Sequence, residues 1–305
     1  MAEVPDAAVA AAEDVGVVVE ADKFGLGFRP ELAGGILAHQ DEIDVLEVIA
    51  EDLFKLRREE LDTFRILANS FDLALHGVSL GMASSHNVDS KRLDSMARLV
   101  QELNPAHWSE HLAFVRAGGH EIGHLAAPPR TDSVIQGTLA NLSRARRSVG
   151  SRPLLENIAT LIDPPMSDYS ETEWIRTILL ESDCDLLLDL HNLYANAVNF
   201  GMNPFDMLEH IPASRIKMVH LSGGMWIEHS TTEKRLLDDH LHDPPEIVYD
   251  LLEEVARRAP TSLNVVIERD GAYPEMGLLL QQLRLARTAV ARGRSRMITR
   301  QEINV

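Results

Sequence analysis

Short apolar runs alternate with longer amphipathic segments along most of the chain. Eight of the short runs have the length and composition of buried strands, over residues 24–28, 45–51, 73–80, 107–114, 153–159, 185–192, 216–223 and 264–271. Between them, apolar residues recur at helical spacing; in the segment KRLDSMARLVQEL, Leu93, Met96 and Leu103 share one face. Strand followed by helix, eight times over, predicts an α/β fold with a single closed (β/α)8 barrel of the TIM type.

An open, doubly wound sheet is the alternative arrangement of alternating strands and helices. That fold usually carries a glycine-rich phosphate-binding turn, and the sequence GLGF at residues 25–28 is too short and lacks the later glycine. The sequence therefore favours one barrel domain over residues 23–291. Residues 1–22 are predicted to be a poorly ordered acidic lead-in, and residues 292–305 a loose basic tail.

Composition and charge limit the classes of partner and the cellular compartment that we expect for this chain. The net charge of −18 disfavours a nucleic-acid partner, and no apolar run is long enough to span a membrane. The single cysteine, Cys184, excludes an intrachain disulfide and is consistent with a reducing compartment. We therefore expect a cytoplasmic protein with neither a nucleic-acid nor a membrane partner.

Polar side chains gather where the predicted strands end, and in a barrel those ends meet at one mouth. They are His76, Glu110, His111, Glu156, Asn157, Asp189, His191, Asn192, His220, Glu268, Arg269 and Asp270, with Asp238 and His240 in the segment LDDHLHD. Each one alone is more often an ordinary structural residue than a ligand. Together they would be costly to bury unless cations neutralised them.

The mixture of imidazoles and carboxylates suits iron, manganese or zinc. Because there are more candidate ligands than one ion can use, we expect two or three metal ions, bridged by a carboxylate such as Glu156 or Glu268. Glu110 could accept the second ring proton of a ligand histidine. Arg269 could pair with a neighbouring carboxylate or bind one on the substrate, Asn157 is expected beside the ligands or the substrate, and Trp226 could line the substrate groove.

In their order, these motifs resemble those of the multinuclear non-haem iron-dependent oxidative enzymes. The resemblance runs from about Gly25 to about Arg287, through the segments HGVSLG, SEHLAF, LLENI, LLLDLHNLYANAVNFG, VHLSGG, DDHLHDPPEIVYDLL and IERDG. It implies a TIM-type barrel that holds two or three iron ions and uses dioxygen to modify ribosomally made peptides, often at cysteine. Relatives build the copper-chelating groups of methanobactin or act in thiaglutamate biosynthesis. They usually work with a partner that grips the leader of the precursor peptide.

The resemblance also implies roles for individual residues. His76 and His111 match the histidines of one iron, and Glu156 matches a bridging carboxylate. The ligands of the central iron would be Asp189, His220 and Glu268. Those of the further iron would be Asp238 and His240, with Asn192 or His191. Where many relatives resemble D-V-N-N, this chain has Asp189-Leu190-His191-Asn192, so the histidine could alter the third metal site.

Two other functions remain open from the residues. Barrels similar to endonuclease IV or xylose isomerase also gather such ligands, and would make the chain a zinc or manganese hydrolase or isomerase with no need for oxygen. A non-catalytic, metal-dependent peptide-binding subunit is the other possibility.

Overall fold

The computed structural model describes residues 21–117, 120–228 and 233–303. The predicted lead-in lies outside the described residues except for Ala21 and Asp22. In these ranges the strands are β1 (Lys23–Gly27), β2 (Val45–Ile49), β3 (Asp72–Gly77), β4 (His107–His111), β5 (Phe114–Ala117), β6 (His120–Ala126), β7 (Leu154–Glu156), β8 (Asp185–Asp189), β9 (Ile216–Leu221), β10 (Gly224–Glu228), β11 (Lys234–Asp238) and β12 (Asn264–Ile267).

Eight of these strands close into one parallel barrel. The order around the ring is β1, β2, β3, β4, β7, β8, β9 and β12, and β12 pairs with β1 to complete it. This confirms the predicted barrel and excludes the open sheet. The four other strands form two antiparallel hairpins, β5–β6 and β10–β11, which the apolar pattern did not predict.

The helices are α1 (Ala33–Ala38), α2 (Ala50–Leu53), α3 (Asp62–Leu67), α4 (Ser90–Leu103), α5 (Asp132–Val149), α6 (Glu171–Ser182), α7 (Leu190–Asn199), α8 (Pro204–His210), α9 (Glu246–Arg258) and α10 (Met276–Ile303), with short 3-10 turns at Pro30–Leu32 and Ala213–Arg215. Local chemistry sets their ends. Asp89 caps α4 by accepting from two backbone N–H groups, and Ser170 with Glu173 forms a capping box at the start of α6. None of the described helices is both long and apolar enough to cross a membrane.

Several predicted strands extend too far at their carboxyl ends. The strand predicted over 185–192 ends at Asp189, so His191 and Asn192 lie in the first turn of α7 instead. The cause is the Asp189 side chain, which accepts a hydrogen bond from the Asn192 backbone N–H at 2.6 Å and so caps the helix.

Two residues expected in loops lie in the hairpin β10–β11 instead. Trp226 lies in β10, and Asp238 is the last residue of β11.

Within the segment 292–305, expected to be a loose tail, residues 292–303 continue α10, and the last two residues lie outside the described ranges. Ion pairs attach this part of α10 to the body of the protein. Arg292 and Arg296 both contact Glu253 of α9, and Arg294 contacts Asp22 just before β1.

Candidate metal centre

One apolar layer inside the barrel supports the polar mouth. It consists of Val45, Ala74, Leu154, Leu187, Met218 and Val266, all buried. Two residues further along each of these chain segments stand Glu47, His76, Glu156, Asp189, His220 and Glu268. Because side chains two apart on a strand point to the same face, these six polar groups form the next layer inside the barrel. The structure thus brings together side chains up to about two hundred positions apart.

The first candidate group consists of His76, His111 and Glu156. Nδ1 of His111 lies 3.1 Å from the Gly77 carbonyl oxygen, which can only accept, so Nδ1 carries the hydrogen. The other nitrogen, Nε2, lies 3.2 Å from Oε2 of Glu156, and Nε2 of His76 lies 3.3 Å from the same oxygen. That oxygen is buried and has no hydrogen-bond partner in the described part of the chain. Two imidazoles and one carboxylate therefore face a common point.

The second candidate group consists of Glu156, Asp189, His220 and Glu268, all buried. Nδ1 of His220 lies 3.2 Å from Oε1 of Glu156 and 3.0 Å from Oε2 of Glu268. Neither Nδ1 of His220, Oε2 of Glu268 nor Oδ2 of Asp189 has an aligned hydrogen bond to another described residue. Such orphaned buried atoms are costly, and a shared cation would satisfy all of them.

Glu47 is the functional candidate that sequence reasoning missed. It is buried in the middle of β2, and a carboxylate oxygen lies 2.9 Å from Nε2 of His220. A hydrogen on Nε2 leaves Nδ1 free to face the second group, which is the usual way that a carboxylate orients a ligand histidine. The signal was present, since a glutamate interrupts the otherwise apolar strand VLEVI.

The third candidate group consists of His240, Glu268 and Asp270. Nδ1 of His240 lies 3.3 Å from Glu268 and 3.5 Å from Asp270, and its Nε2 lies 2.8 Å from Oδ2 of Asp238. Asp270 follows strand β12; it was noted among the polar residues at the strand ends, but no ligand role was predicted for it. His240 has a backbone φ of 53°, in the left-handed region that is uncommon for histidine, so the chain is held in a specific turn to present this ring.

The residues from the first turn of α7 lie outside these three groups of histidines and carboxylates, and the ligand roles predicted for His191 and Asn192 stay predictions. Nδ1 of His191 lies 2.6 Å from Oδ1 of Asp238 and so holds that carboxylate. The Asn192 amide donates to the Asn157 carbonyl oxygen, while its own Oδ1 is buried without a described partner. Asn157 exchanges two hydrogen bonds with the backbone of Asp189, both 2.9 Å, and thereby ties β7 to β8 at the ligands.

The other residues predicted to neighbour the site differ in how well their positions match the predicted roles. Glu110 accepts from the backbone N–H groups of Leu80 and His111, while the ring proton expected to reach it lies nearer the Gly77 carbonyl. Arg269 donates to Asp243 at 3.2 Å, as one of its two predicted roles requires. Trp226 is 51% exposed on the hairpin that ends at Asp238.

The electrostatics of the cluster indicate a site that attracts cations. Burial alone would lower the pKa of His111, but Glu156 and Glu110 raise it to about 9. Burial similarly opposes the charged form of His220 and His240, yet neighbouring carboxylates raise the pKa of both well above the usual value. Burial and the Asp238 charge raise the pKa of Asp189 well above its usual range. Imidazoles and carboxylates that retain protons in this way can exchange them for metal ions, so the donor set fits first-row divalent metals.

The solved structures that share this fold include epimerases and xylose isomerase-like barrels. D-psicose 3-epimerase from Clostridium cellulolyticum H10 aligns over 90% of this chain and 99% of its own, with a TM-score of 0.57 and 12% identity. A xylose isomerase-like TIM barrel protein from Mycobacterium smegmatis, solved in complex with magnesium, aligns over 86% and 90%, with a TM-score of 0.54 and 12% identity. At such identities the likeness shows the fold alone.

Sequence relatives are more informative. The UPF0276 protein of Acaryochloris marina is 30% identical over 275 residues, which are 88% of this chain and 95% of the relative. That of Rhizorhabdus wittichii is 31% identical over 269 residues, 87% and 93% respectively. The family described as RiPP precursor modification enzyme MbnB/TglH/ChrH matches residues 23–291, where RiPP denotes a ribosomally synthesised and post-translationally modified peptide. The chain therefore belongs to this family of RiPP precursor modification enzymes.

Proposed function

We propose that the chain binds two or three iron ions at the barrel mouth and catalyses the dioxygen-dependent oxidation of a ribosomally made precursor peptide at cysteine. One observation carries the proposal: three ligand groups overlap, because Glu156 belongs to the first and second and Glu268 to the second and third. A shared carboxylate is the usual bridge between neighbouring ions. The peptide substrate is inferred from the family to which the chain belongs.

Each candidate group would hold one ion. The first ion would be held by His76 and His111 with Glu156, and the second by Asp189 and His220 between the two shared glutamates. His240, Glu268 and Asp270 would hold the third, with Asp238 beside His240. Bound iron would supply one-electron chemistry with dioxygen, which amino-acid side chains do not provide.

The protein's own residues would orient the ligands and keep the site dry. Ser109, Gly77 and Glu47 hold one nitrogen of His76, His111 and His220, respectively, and so fix the direction of the other. The ligands of the first two groups are buried, so bulk water has little access to the reacting atoms. An incoming substrate thiolate would add a soft anionic donor that these groups lack.

We further propose that a separate partner protein binds the leader of the precursor peptide. The resemblance described above supports this, and the hairpin β10–β11, in which β10 is partly exposed, ends at the candidate ligand Asp238 beside His240. A zinc or manganese hydrolase or isomerase is the competing function, since barrels of this fold include epimerases.

The test is iron loading without oxygen, followed by oxygen exposure with a cysteine-containing precursor peptide and mass spectrometry. We expect an oxygen-dependent mass change, its loss in Glu156→Gln, and wild-type behaviour in Glu209→Gln, the same change at an exposed position. Metal analysis accompanies it. Turnover that is independent of oxygen and restored by zinc or manganese would contradict the oxidase and favour the hydrolase or isomerase.

A further inference from the structure

A cavity of about 280 Å³ lies beside the proposed metal centre, between the ends of β4 and β7 and the helices α6 and α7. Leu112 and Asn157, which line it, directly follow His111 and Glu156 in the chain. Asn157 also exchanges two hydrogen bonds with the backbone of Asp189, so the cavity borders chain segments that carry three proposed ligands. A water molecule occupies about 30 Å³ of liquid, so the space can hold an amino-acid side chain.

A carboxylate without a cationic partner lines this cavity. Both oxygens of Glu171 accept from the Asn196 side-chain amide, at 2.9 and 3.0 Å, and no described lysine, arginine or histidine lies within ion-pair distance. Arg130 lines the same cavity, but its guanidinium is engaged by Asp163 at 2.6 Å and by the Tyr169 carbonyl. Burial raises the pKa of Glu171 to about 7, although the Asn196 amide and the charge of Arg130, which forms no direct ion pair with Glu171, oppose the rise.

A second polar group in the wall also lacks a partner. The Trp174 side chain is 4% exposed, and its indole Nε1–H donates to no described residue. The apolar part of the wall includes the aromatic rings of Trp174 and Phe200 and the side chains of Ile158 and Met202. The cavity thus offers an acceptor, a donor and aromatic surface to one occupant.

We propose that this cavity binds a lysine or arginine side chain of the peptide substrate, with its cationic head at Glu171. The proposal rests on the proposed function, because it takes the occupant to be part of the peptide presented to the metal centre. A basic residue supplies the missing counter-ion, and aromatic walls favour cations further. A peptide residue also brings backbone carbonyl oxygens, one of which can accept from Trp174; a simple amine has none.

Binding to the whole 305-residue chain is measured by NMR through the Trp174 indole resonance, which is assigned with Trp174→Phe. The ligands are N-acetyl-lysine N-methylamide and its norleucine and glutamine analogues. We expect saturable shifts with the lysine ligand and at least tenfold weaker binding of both analogues. Glu171→Gln should weaken lysine binding at least tenfold, and Glu181→Gln, an exposed site on the same helix, should leave it unchanged.

Equal affinity for lysine and norleucine, tighter binding of glutamine, or unchanged binding by folded Glu171→Gln would each overturn the proposal. If that variant fails to fold, the comparison of ligands on the wild-type protein decides. The titration needs neither oxygen nor turnover, so it is independent of the oxidation test. Peptide oxidation that persists when no ligand enters the cavity would reject this pocket and leave the proposed function intact.

Discussion

At the scale of single residues, the orientation of each histidine is set by a group behind it. Ser109, Gly77 and Glu47 stand behind His76, His111 and His220. Only Glu47 is an acid in this role, and it lies in β2, a strand that provides no member of the three candidate groups. Its side-chain hydrogen bond goes to His220, so we expect it to affect the second group through that ring.

Glu47→Gln should weaken metal binding at the second group by about 10- to 100-fold, the usual effect of losing such a partner. The glutamine oxygen can still accept from Nε2, so the fold should persist. Competition with a chromophoric chelator measures the affinity, with Glu209→Gln as the control for charge. Identical chelator curves for Glu47→Gln and the wild type would show that this carboxylate does not act through His220.

Sequence reasoning found most of the polar residues that the structure brings together, because the mouth of a barrel is defined by where its strands end. It missed Glu47, since that residue lies inside a strand and only the register reveals which polar group faces it. Asp270 was noted but not selected. The resemblance offered His191 as one possible ligand at the same metal site as Asp238, but their direct contact could not be read from the apolar pattern, because it joins a helix to an unpredicted hairpin.

At the scale of elements, the hairpin β10–β11 brings Asp238 to the site and packs against α7. Gly224 begins this hairpin, and a Cβ there would lie 2.1 Å from the Leu237 carbonyl oxygen and 2.6 Å from Cε1 of His191. Both contacts are closer than any real Cβ tolerates. The hairpin can therefore adopt its position only with glycine at 224.

Gly224→Ala should displace the hairpin from His191 and reduce the metal bound per chain, with retention of the first group. Elemental analysis after dialysis measures the content. Gly34→Ala is the matched control, because a Cβ at Gly34 meets nothing within 4 Å. Full metal content in Gly224→Ala would mean that the hairpin does not shape the third group.

Strands and helices were predictable to different degrees. The eight barrel strands were found because buried parallel strands are continuously apolar. Several were predicted to extend past their real carboxyl ends, because the polar candidate ligands there follow the apolar run without a turn signal. Helix α7 starts directly after Asp189 because that residue is both the helix cap and a candidate ligand. The apolar periodicity cannot reveal a change from strand to helix that takes place within one turn. The two hairpins have too few buried residues to give an apolar signal.

At the scale of the whole molecule, the two ends of the barrel domain are fastened together. Asp22 accepts from the Leu263 backbone N–H just before β12 and from Arg294 of α10. Arg294 also donates to the carbonyl groups of Ala256 and Thr261. One guanidinium thus joins the first strand, the last strand and the last two helices.

Arg294→Ala should lower the free energy of unfolding by about 2 kcal/mol, because several partly buried acceptors lose a charged donor. Arg296→Ala removes an exposed guanidinium from the buried Glu253, which keeps Arg292 as a partner, and should cost less than about 1 kcal/mol. Chemical denaturation monitored by circular dichroism compares the two. Equal losses would show that the fastening at Asp22 adds nothing beyond a surface ion pair.

The shared carboxylates have a consequence for how metal would fill the cluster. Without Glu156, the first group retains only two imidazoles, and without Glu268 the third retains one imidazole and one carboxylate. Occupancy at any position would therefore depend on how its neighbour uses the common oxygen atoms. Stepwise additions of ion should follow a preferred sequence, with the middle position linked to both flanks, rather than three unrelated equilibria.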